Sequence, residues 1–357
     1  MSPELFVLAT GQDDNIGDVV LRRECFDRLR TVGRLHLFLG DSSQDFVDGL
    51  CLDDRDTTYA TMRQWHSAAW RALGRGEVWF VDKPGELQLD ERTVNRQLKL
   101  APLVVAVRLR GGQVLRLGMA MRETRARYLR QLRPLLRLST RVCWRDTATG
   151  PAFGFGTIGP DWAFARDAAP EAIPSAARVD VAVSYRGDRP LPSSALLDEL
   201  AALTRGGTRR LVVLAQVRRD TARAAELAER LGAVLVPWPD ERTLAEHEAV
   251  VRAVYRHSAL VVSDRLHALI VGMTEGAVPL CLSDHGEAKI ERHLDAVGFG
   301  GATVRLDGST PHRALLEGQV ARRAELSDAL TRARDELAAL VSSLRDLAAR
   351  GRGADVR

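Results

Sequence analysis

The sequence predicts an α/β protein of two doubly wound, parallel-sheet domains followed by a long charged helical segment. Three observations carry that expectation. Apolar runs such as Leu5–Ala9, Val179–Ser184 and Leu260–Val262 have the unbroken hydrophobicity of strands buried on both faces. They alternate with stretches of helical period, among them Val19–Leu29, Thr221–Leu231 and Glu246–His257, and such alternation builds βα units and a parallel sheet. At 357 residues the chain is long enough for two domains with separate cores. The expected division is an N-terminal domain over 1–165, an Ala- and Pro-rich linker over 166–178, a C-terminal domain over 179–314 and a helical tail over 315–357.

Composition narrows the class. Hydrophobic residues make up 45% and charged residues 27%, which excludes a disordered or fibrous chain. Cys25, Cys51, Cys143 and Cys281 are widely spaced with no CxxC pair, so they read as reduced core thiols rather than a zinc site or disulfide framework. No apolar run has the ~20 residues a membrane span needs. The N-terminus lacks the look of a secretory signal, and cytoplasmic residence is expected. The net charge of +4 is unevenly spread: Arg96–Arg145 holds thirteen basic residues against Glu123 alone, for +12, and the rest of the chain sums to −8. That block fits a solvated helix face, or contact with anionic lipid at the inner face of a membrane or with a lipid-linked pyrophosphate. It has no interleaved aromatic ladder, so nucleic acid is not the expected partner.

Taken in order, Leu5–Ala9 is the first strand, and Gly11–Asp18 (GQDDNIGD) is the loop feeding helix Val19–Leu29. Gly17 there permits close backbone approach, and Asp18 is placed either to cap the helix or to take a proton from a hydroxyl. Gly33–Gly40 is the second strand; its Arg34-Leu35-His36 has no helix after it, so His36 reads as a strand residue. Asp41–Leu73 is loop then helix, with Met62, Trp65, Ala69 and Leu73 as a core stripe. Glu77–Val81 and Leu103–Val107 read as strands, Arg122–Leu138 as a basic helix interrupted near Pro134, and Arg141–Trp144 as a strand ending at Arg145-Asp146. Asp161 follows in a loop as a candidate ligand. In the second half, successive strand ends offer Arg186, Gln216, Arg219 and Trp238 along one sheet edge. Leu315–Ala349 is an amphipathic helix with a break near Ser327, its Leu and Ala spacing also fitting a coiled-coil arm, and 351–357 is expected to fray.

The stretch with most chemistry is Ser258–Leu282. Leu260–Val262 forms a strand, Ser263-Asp264 a turn and helix cap, Arg265–Thr274 a helix closed by Gly276, and Val278–Leu282 the next strand. A helix N-terminus at a strand's carboxyl end attracts anions. Arg265 adds a planar fork for carboxylate or phosphate, and His267 adds a proton donor or acceptor near neutral pH.

Ser263-Asp264-Arg265-Leu266-His267-Ala268-Leu269-Ile270, followed by Gly276-Ala277-Val278-Pro279, resembles the signature of the polysaccharide pyruvyl transferases. Asn15-Ile16-Gly17-Asp18 is similar to that family's Asn-x-Gly-Asp loop, Arg145–Thr149 to its Arg-Asp-x-x-Ser/Thr turn, and Gly159–Phe164 to its Asp-Pro-Ala-Phe stretch. Asp82–Asp90 departs from the family's Gly-Gly-Gly-x-Leu-x-x-Asp turn, keeping Gly85, Leu87 and Asp90, and no Tyr precedes Lys289 at the family spacing. The resemblance implies two Rossmann-like domains in the manner of GT-B glycosyltransferases. It implies transfer of the pyruvyl group of phosphoenolpyruvate, as co-substrate with no cofactor or metal, to a hydroxyl pair of an envelope glycan or its lipid-linked precursor. A ketal forms and phosphate leaves. In that scheme Arg265, the N–H groups beginning at Leu266, Arg186 and Lys289 hold the donor, and His267 is the general acid. The base is one of Asp18, Asp146, Asp161 and Glu287, and Asn15, Gly17 and Arg145 lie on the acceptor side or cleft. Two other readings stand beside it. One is a GT-B glycosyltransferase using a nucleotide sugar, whose diphosphate site Glu275–Pro279 loosely resembles. The other is a non-catalytic sugar- or lipid-phosphate-binding homologue.

Overall fold

The computed structural model describes residues 2–123, 125–167, 174, 177–202, 204, 209–305 and 312–354. The expected linker falls largely on residues 168–173 and 175–176, outside the described residues, as does the end of the expected frayed tail, 355–357. The chain groups into two compact units. One comprises Met1–Asp13, Val19–Ala165 and Asp335–Arg357, the other Asp14–Asp18 and Arg166–Arg334.

The first unit runs β1 (Glu4–Leu8), α1 (Ile16–Leu29), β2 (Arg34–Phe38), α2 (Gln44–Gly49), β3 (Thr57–Tyr59), α3 (Met62–Leu73), β4 (Val78–Val81), β5 (Gly85–Leu87), α4 (Glu91–Leu109), β6 (Val114–Met121), α5 (Ala126–Arg137), β7 (Arg141–Trp144), α6 (Thr149–Phe153) and β8 (Thr157–Ile158). The strand order is β3-β2-β1-β4-β6-β7-β8, with β5 beside β6, and the pairings are parallel. Trp65 anchors the core, edge-on to Phe6 and Phe80 with ring centroids 5.7 and 6.2 Å away. Its indole N–H donates to the His36 carbonyl at 3.0 Å.

Three local expectations change. Leu103–Val107 is not a strand but part of α4. Leu100, Leu103, Val104 and Val107 are buried at helical spacing while Val105 is 40% exposed, a pattern that fits a helix and not a strand covered on both faces. Asp90 starts that helix by accepting the Thr93 N–H at 2.7 Å. The strand is β6, which Arg116 interrupts in the sequence. Arg116 is fully buried and paired with Asp82, and Gln97 donates to the same carboxylate at 2.8 Å. The segment that departs from the family's glycine-rich turn thus opens on a buried ion pair. Third, α5 continues through Pro134 without a break. Among the thiols, Cys51 is exposed, with φ of 51°, while Cys25, Cys143 and Cys281 are buried.

The second unit runs β9 (Asp180–Ser184), α7 (Ser194–Ala202), β10 (Arg210–Leu214), α8 (Thr221–Leu231), β11 (Val234–Val236), α9 (Leu244–His257), β12 (Ser258–Ser263), α10 (Leu266–Thr274), β13 (Val278–Ser283), α11 (Ala288–Asp295), β14 (Thr303–Arg305), α12 (His312–Ala321) and α13 (Arg323–Ala354). Its order is β11-β10-β9-β12-β13-β14, parallel throughout, with the reversal of direction between β9 and β12. Ligands of open parallel sheets bind at the carboxyl ends beside such a reversal. The helical break falls between α12 and α13, at Arg322 rather than Ser327, and α13 remains helical to Ala354. Residues from Asp335 onward group with the first unit. Both units have the doubly wound, parallel architecture that the alternating pattern predicts.

Candidate functional site

The second unit's reversal point is bridged by short polar side chains. The Ser263 hydroxyl donates to the Ser184 carbonyl at 2.5 Å and accepts the Arg265 N–H at 3.0 Å, turning the chain sharply after β12. Asp264 is not the helix cap: Arg265 holds that position without a side-chain capping bond, and the Asp264 carboxylate accepts the Arg186 N–H from the end of β9 at 2.9 Å. α10 is buried nearly all round because its sequence is apolar on every face. Gly272 lets it lie close to β12, since a Cβ there would sit 2.5 Å from Val261 Cγ1. Arg265 and His267, at the start of α10, are only half-buried.

Arg265 is held by an acid that sequence reasoning did not pair with it. Its Nε–H donates to Asp220, which is 1% exposed and also accepts the Gly187 N–H at 2.8 Å. The Arg265 side chain is 10% exposed, and its Nη2 is buried without a hydrogen-bond partner. Asp220 therefore fixes the Nε edge of the guanidinium, and Nη2 on that same edge is left with an unused donor at the start of α10.

The Asn-x-Gly-Asp segment converges on the same place. Ile16 N–H donates to the Gln216 carbonyl at 3.2 Å and Arg218 N–H to the Asp14 carbonyl at 2.8 Å, and Asn15 forms an antiparallel bridge with Val217. The Asn15 side-chain oxygen accepts the Gly17 N–H at 2.9 Å. Asn15 thus caps α1, which begins at Ile16 and not Val19, and Asp18 sits inside the first turn rather than at the cap. A Cβ on Gly17 would lie 2.2 Å from His267 Cβ and 2.5 Å from its Nδ1, so the bare backbone at Gly17 is in contact with the imidazole. Gln216 Nε2 donates to the His267 carbonyl at 3.3 Å.

Two further second-unit candidates form ion pairs. Arg186 is paired with Asp188 at 2.6 Å. Glu287 is paired with Arg189, a residue sequence reasoning passed over, which also lies 3.5 Å from Asp264. Lys289 is half-buried in the first turn of α11. Burial pushes the Asp264 carboxyl up to about 6, against the Arg186 N–H and the charges of Arg189, Arg265 and Arg186. Because the folded value is raised above the ordinary 3.8, the protonated form favours folding. That contribution is complete below pH 3.8 and is lost as the pH rises through about 6. Asp264→Asn is therefore expected to stabilise the protein at neutral pH by up to about 3 kcal/mol, with the gain vanishing at low pH. Denaturant melts of both proteins across this range check it; a gain that does not change with pH contradicts it.

The first-unit candidates serve local structure. Arg145 and Asp161 form a buried pair. Asp146 accepts the Ala148 and Thr149 N–H groups at 3.0 and 2.6 Å and the Thr149 hydroxyl at 3.0 Å, organising the start of α6. Glu275, expected near a donor diphosphate in the nucleotide-sugar reading, is instead buried at the opposite end of α10 from Arg265 and paired with Arg252 at 2.7 Å. Trp238 is stacked on His247 at 3.9 Å and covered by Arg218 at 4.5 Å. Among the described residues no group of three or more His, Cys, Asp or Glu could hold a metal ion, and no helix is long and apolar enough to cross a membrane.

No family model matches the chain, and no curated protein does. Solved structures are similar to it. Anabaena Alr3699/HepE in complex with UDP is 12% identical with a TM-score of 0.52, over 99% of this chain and 100% of that one. CalG4, the calicheamicin glycosyltransferase, is 13% identical with a TM-score of 0.49, over 100% of each chain. LpCGTa in complex with UDP is 14% identical with a TM-score of 0.46, over 98% of this chain and 99% of that one. None of these is named as a pyruvyl transferase, so the resemblance carried by Ser263–Pro279 is not extended to family membership. The chain has a GT-B-like fold: two parallel-sheet α/β domains and a long C-terminal helix.

Proposed function

We propose that this chain is a transferase that takes a phosphate-bearing donor at the N-terminus of α10 and passes a group from it to a glycan hydroxyl. The observation that carries this is Arg265, held through Nε by buried Asp220 while its Nη2 has no hydrogen-bond partner at the start of α10. As the first residue of α10, Leu266 has an N–H with no intrahelical acceptor. These donors suit phosphate oxygens and the charge that grows on them as a bond to phosphate breaks.

Two donor classes fit. The comparisons lean towards a nucleotide sugar, because the GT-B-like fold match includes a protein solved with UDP. In that reaction the acceptor oxygen attacks the anomeric carbon, and the sugar–phosphate C–O bond breaks with its electron pair going to the diphosphate. His267 takes the hydroxyl proton. The second reading, pyruvyl transfer, is supported by the juxtaposition of Gly17 and His267, which unites Asn15–Asp18 and Ser263–Pro279, two of the segments that resemble that family. Trp238, 3% exposed and already stacked on His247, is also not open to a base. Here His267 protonates the methylene carbon of phosphoenolpyruvate, one hydroxyl attacks C2, and a second hydroxyl of the same sugar displaces phosphate. Of the two hydroxyl protons, one balances the new methyl group and the other leaves on phosphate. Asp18, in the same unit as His267 and next to Gly17 in the first turn of α1, is the base candidate nearest in sequence to the Gly17–His267 contact. For pyruvyl transfer the acceptor implied by the resemblance is an envelope glycan or its lipid-linked precursor.

Thermal-shift titration with UDP, a UDP-sugar and phosphoenolpyruvate separates the readings, since a ligand that binds only the folded state raises Tm. Stabilisation by UDP selects the nucleotide sugar, and stabilisation by phosphoenolpyruvate alone selects pyruvyl transfer. His267→Ala is expected to keep the donor-induced shift and lose turnover about 10²–10⁴-fold. No shift with any of the three ligands would overturn the proposal.

A further inference from the structure

α4 is apolar on two opposite faces, and its sheet-facing side explains only one. Leu100, Leu103, Val104 and Val107 pack into the core. On the other side Leu98, Pro102, Val105 and Leu109 recur at helical spacing and are exposed, Leu109 by 81%. α4 lies between α3 and α5. Trp70 of α3 and Leu138, at the end of α5, are also exposed, so five of the nine large apolar side chains exposed among the described residues belong to this helical layer. The three helices carry ten basic residues and a single acid, Glu91. The charge is not the uniform block the sequence suggested: Arg116 and Arg145 are withdrawn into buried ion pairs, whereas Arg96, Lys99, Arg127 and Arg130 are exposed.

We infer that the α3–α5 layer docks this protein on an anionic bilayer surface, with the Leu98–Leu109 stripe and Trp70 entering the headgroup region and the surrounding cations meeting lipid phosphates. Apolar side chains ringed by Lys and Arg on an otherwise soluble helix are the chemistry such a surface recognises. Tryptophan favours the interface because its ring is amphipathic. The absence of an aromatic ladder argues against single-stranded nucleic acid. This surface lies wholly within the first unit, and its test does not depend on the donor.

Flotation with vesicles of phosphatidylcholine alone and of an equal mixture with phosphatidylglycerol tests it on the full chain. Binding is expected to the mixed vesicles only and to weaken with salt. Arg96→Gln, Lys99→Gln and Arg130→Gln together are expected to lower partitioning on the order of a hundredfold. Leu98→Gln with Leu109→Gln is expected to lower it roughly tenfold. Val234→Gln with Leu235→Gln, exposed in the second unit, is expected to leave it unchanged, and unaltered Tm in all variants shows that folding is intact. Equal binding to both vesicle types, no binding to the mixed vesicles, or mixed-vesicle binding abolished by duplex DNA would overturn the inference.

Discussion

Arg265→Ala is expected to abolish the donor-induced thermal shift and to destabilise the second unit by about 3–5 kcal/mol. Both effects follow from Asp220. That carboxylate is 1% exposed, and removing the guanidinium leaves it buried with the Gly187 N–H, at 2.8 Å, as its remaining bond. The donor loses charge-assisted hydrogen bonds, which corresponds to roughly 10- to 150-fold in affinity. The two effects are separable. Asp220→Asn added to Arg265→Ala removes the orphaned charge, so most of the stability should return while donor binding does not. If the double variant recovers both, Arg265 is a structural residue and the site lies elsewhere. If it recovers neither, the loss of binding in the single variant reflects unfolding.

Gly17→Ala is expected to lower kcat/KM about 10²-fold, the loss that follows when a reacting group is displaced by around 1 Å. The new methyl would sit 2.2 Å from His267 Cβ, the root of that side chain rather than its flexible end, so backbone must move on one side or the other. Stability supplies an independent sign. Gly17 lies in the first turn of α1, where helix propensity alone predicts that alanine stabilises by up to about 1 kcal/mol. The contact with His267 predicts the opposite, a loss of about 1–3 kcal/mol. Urea melts and steady-state kinetics on the same preparation decide it. A stabilised Gly17→Ala with normal turnover would mean that Gly17 and His267 do not touch in solution.

The alternation of apolar runs and helical periods was enough to predict two parallel-sheet domains, because strands buried on both faces and helices packed against them leave a periodic trace in any local window. Ser263–Pro279 was legible for the same reason: strand, turn and helix lie together in the chain, and Arg265 and His267 stand out as polar residues at the start of an apolar helix. Tertiary structure alone decided the partners. Asp220 lies 45 residues from Arg265, and Asn15–Asp18 lies far earlier in the sequence than the imidazole it touches, so no local pattern could join them. Where burial reverses the usual preference, local reading failed. Arg116 broke the pattern of β6 because a buried cation is stable only beside an acid such as Asp82, and that pairing exists only in three dimensions. Leu103–Val107 looked like a strand because a short apolar run does not reveal its period; the exposure of Val105 among buried neighbours reveals it, and exposure is a property of the folded chain.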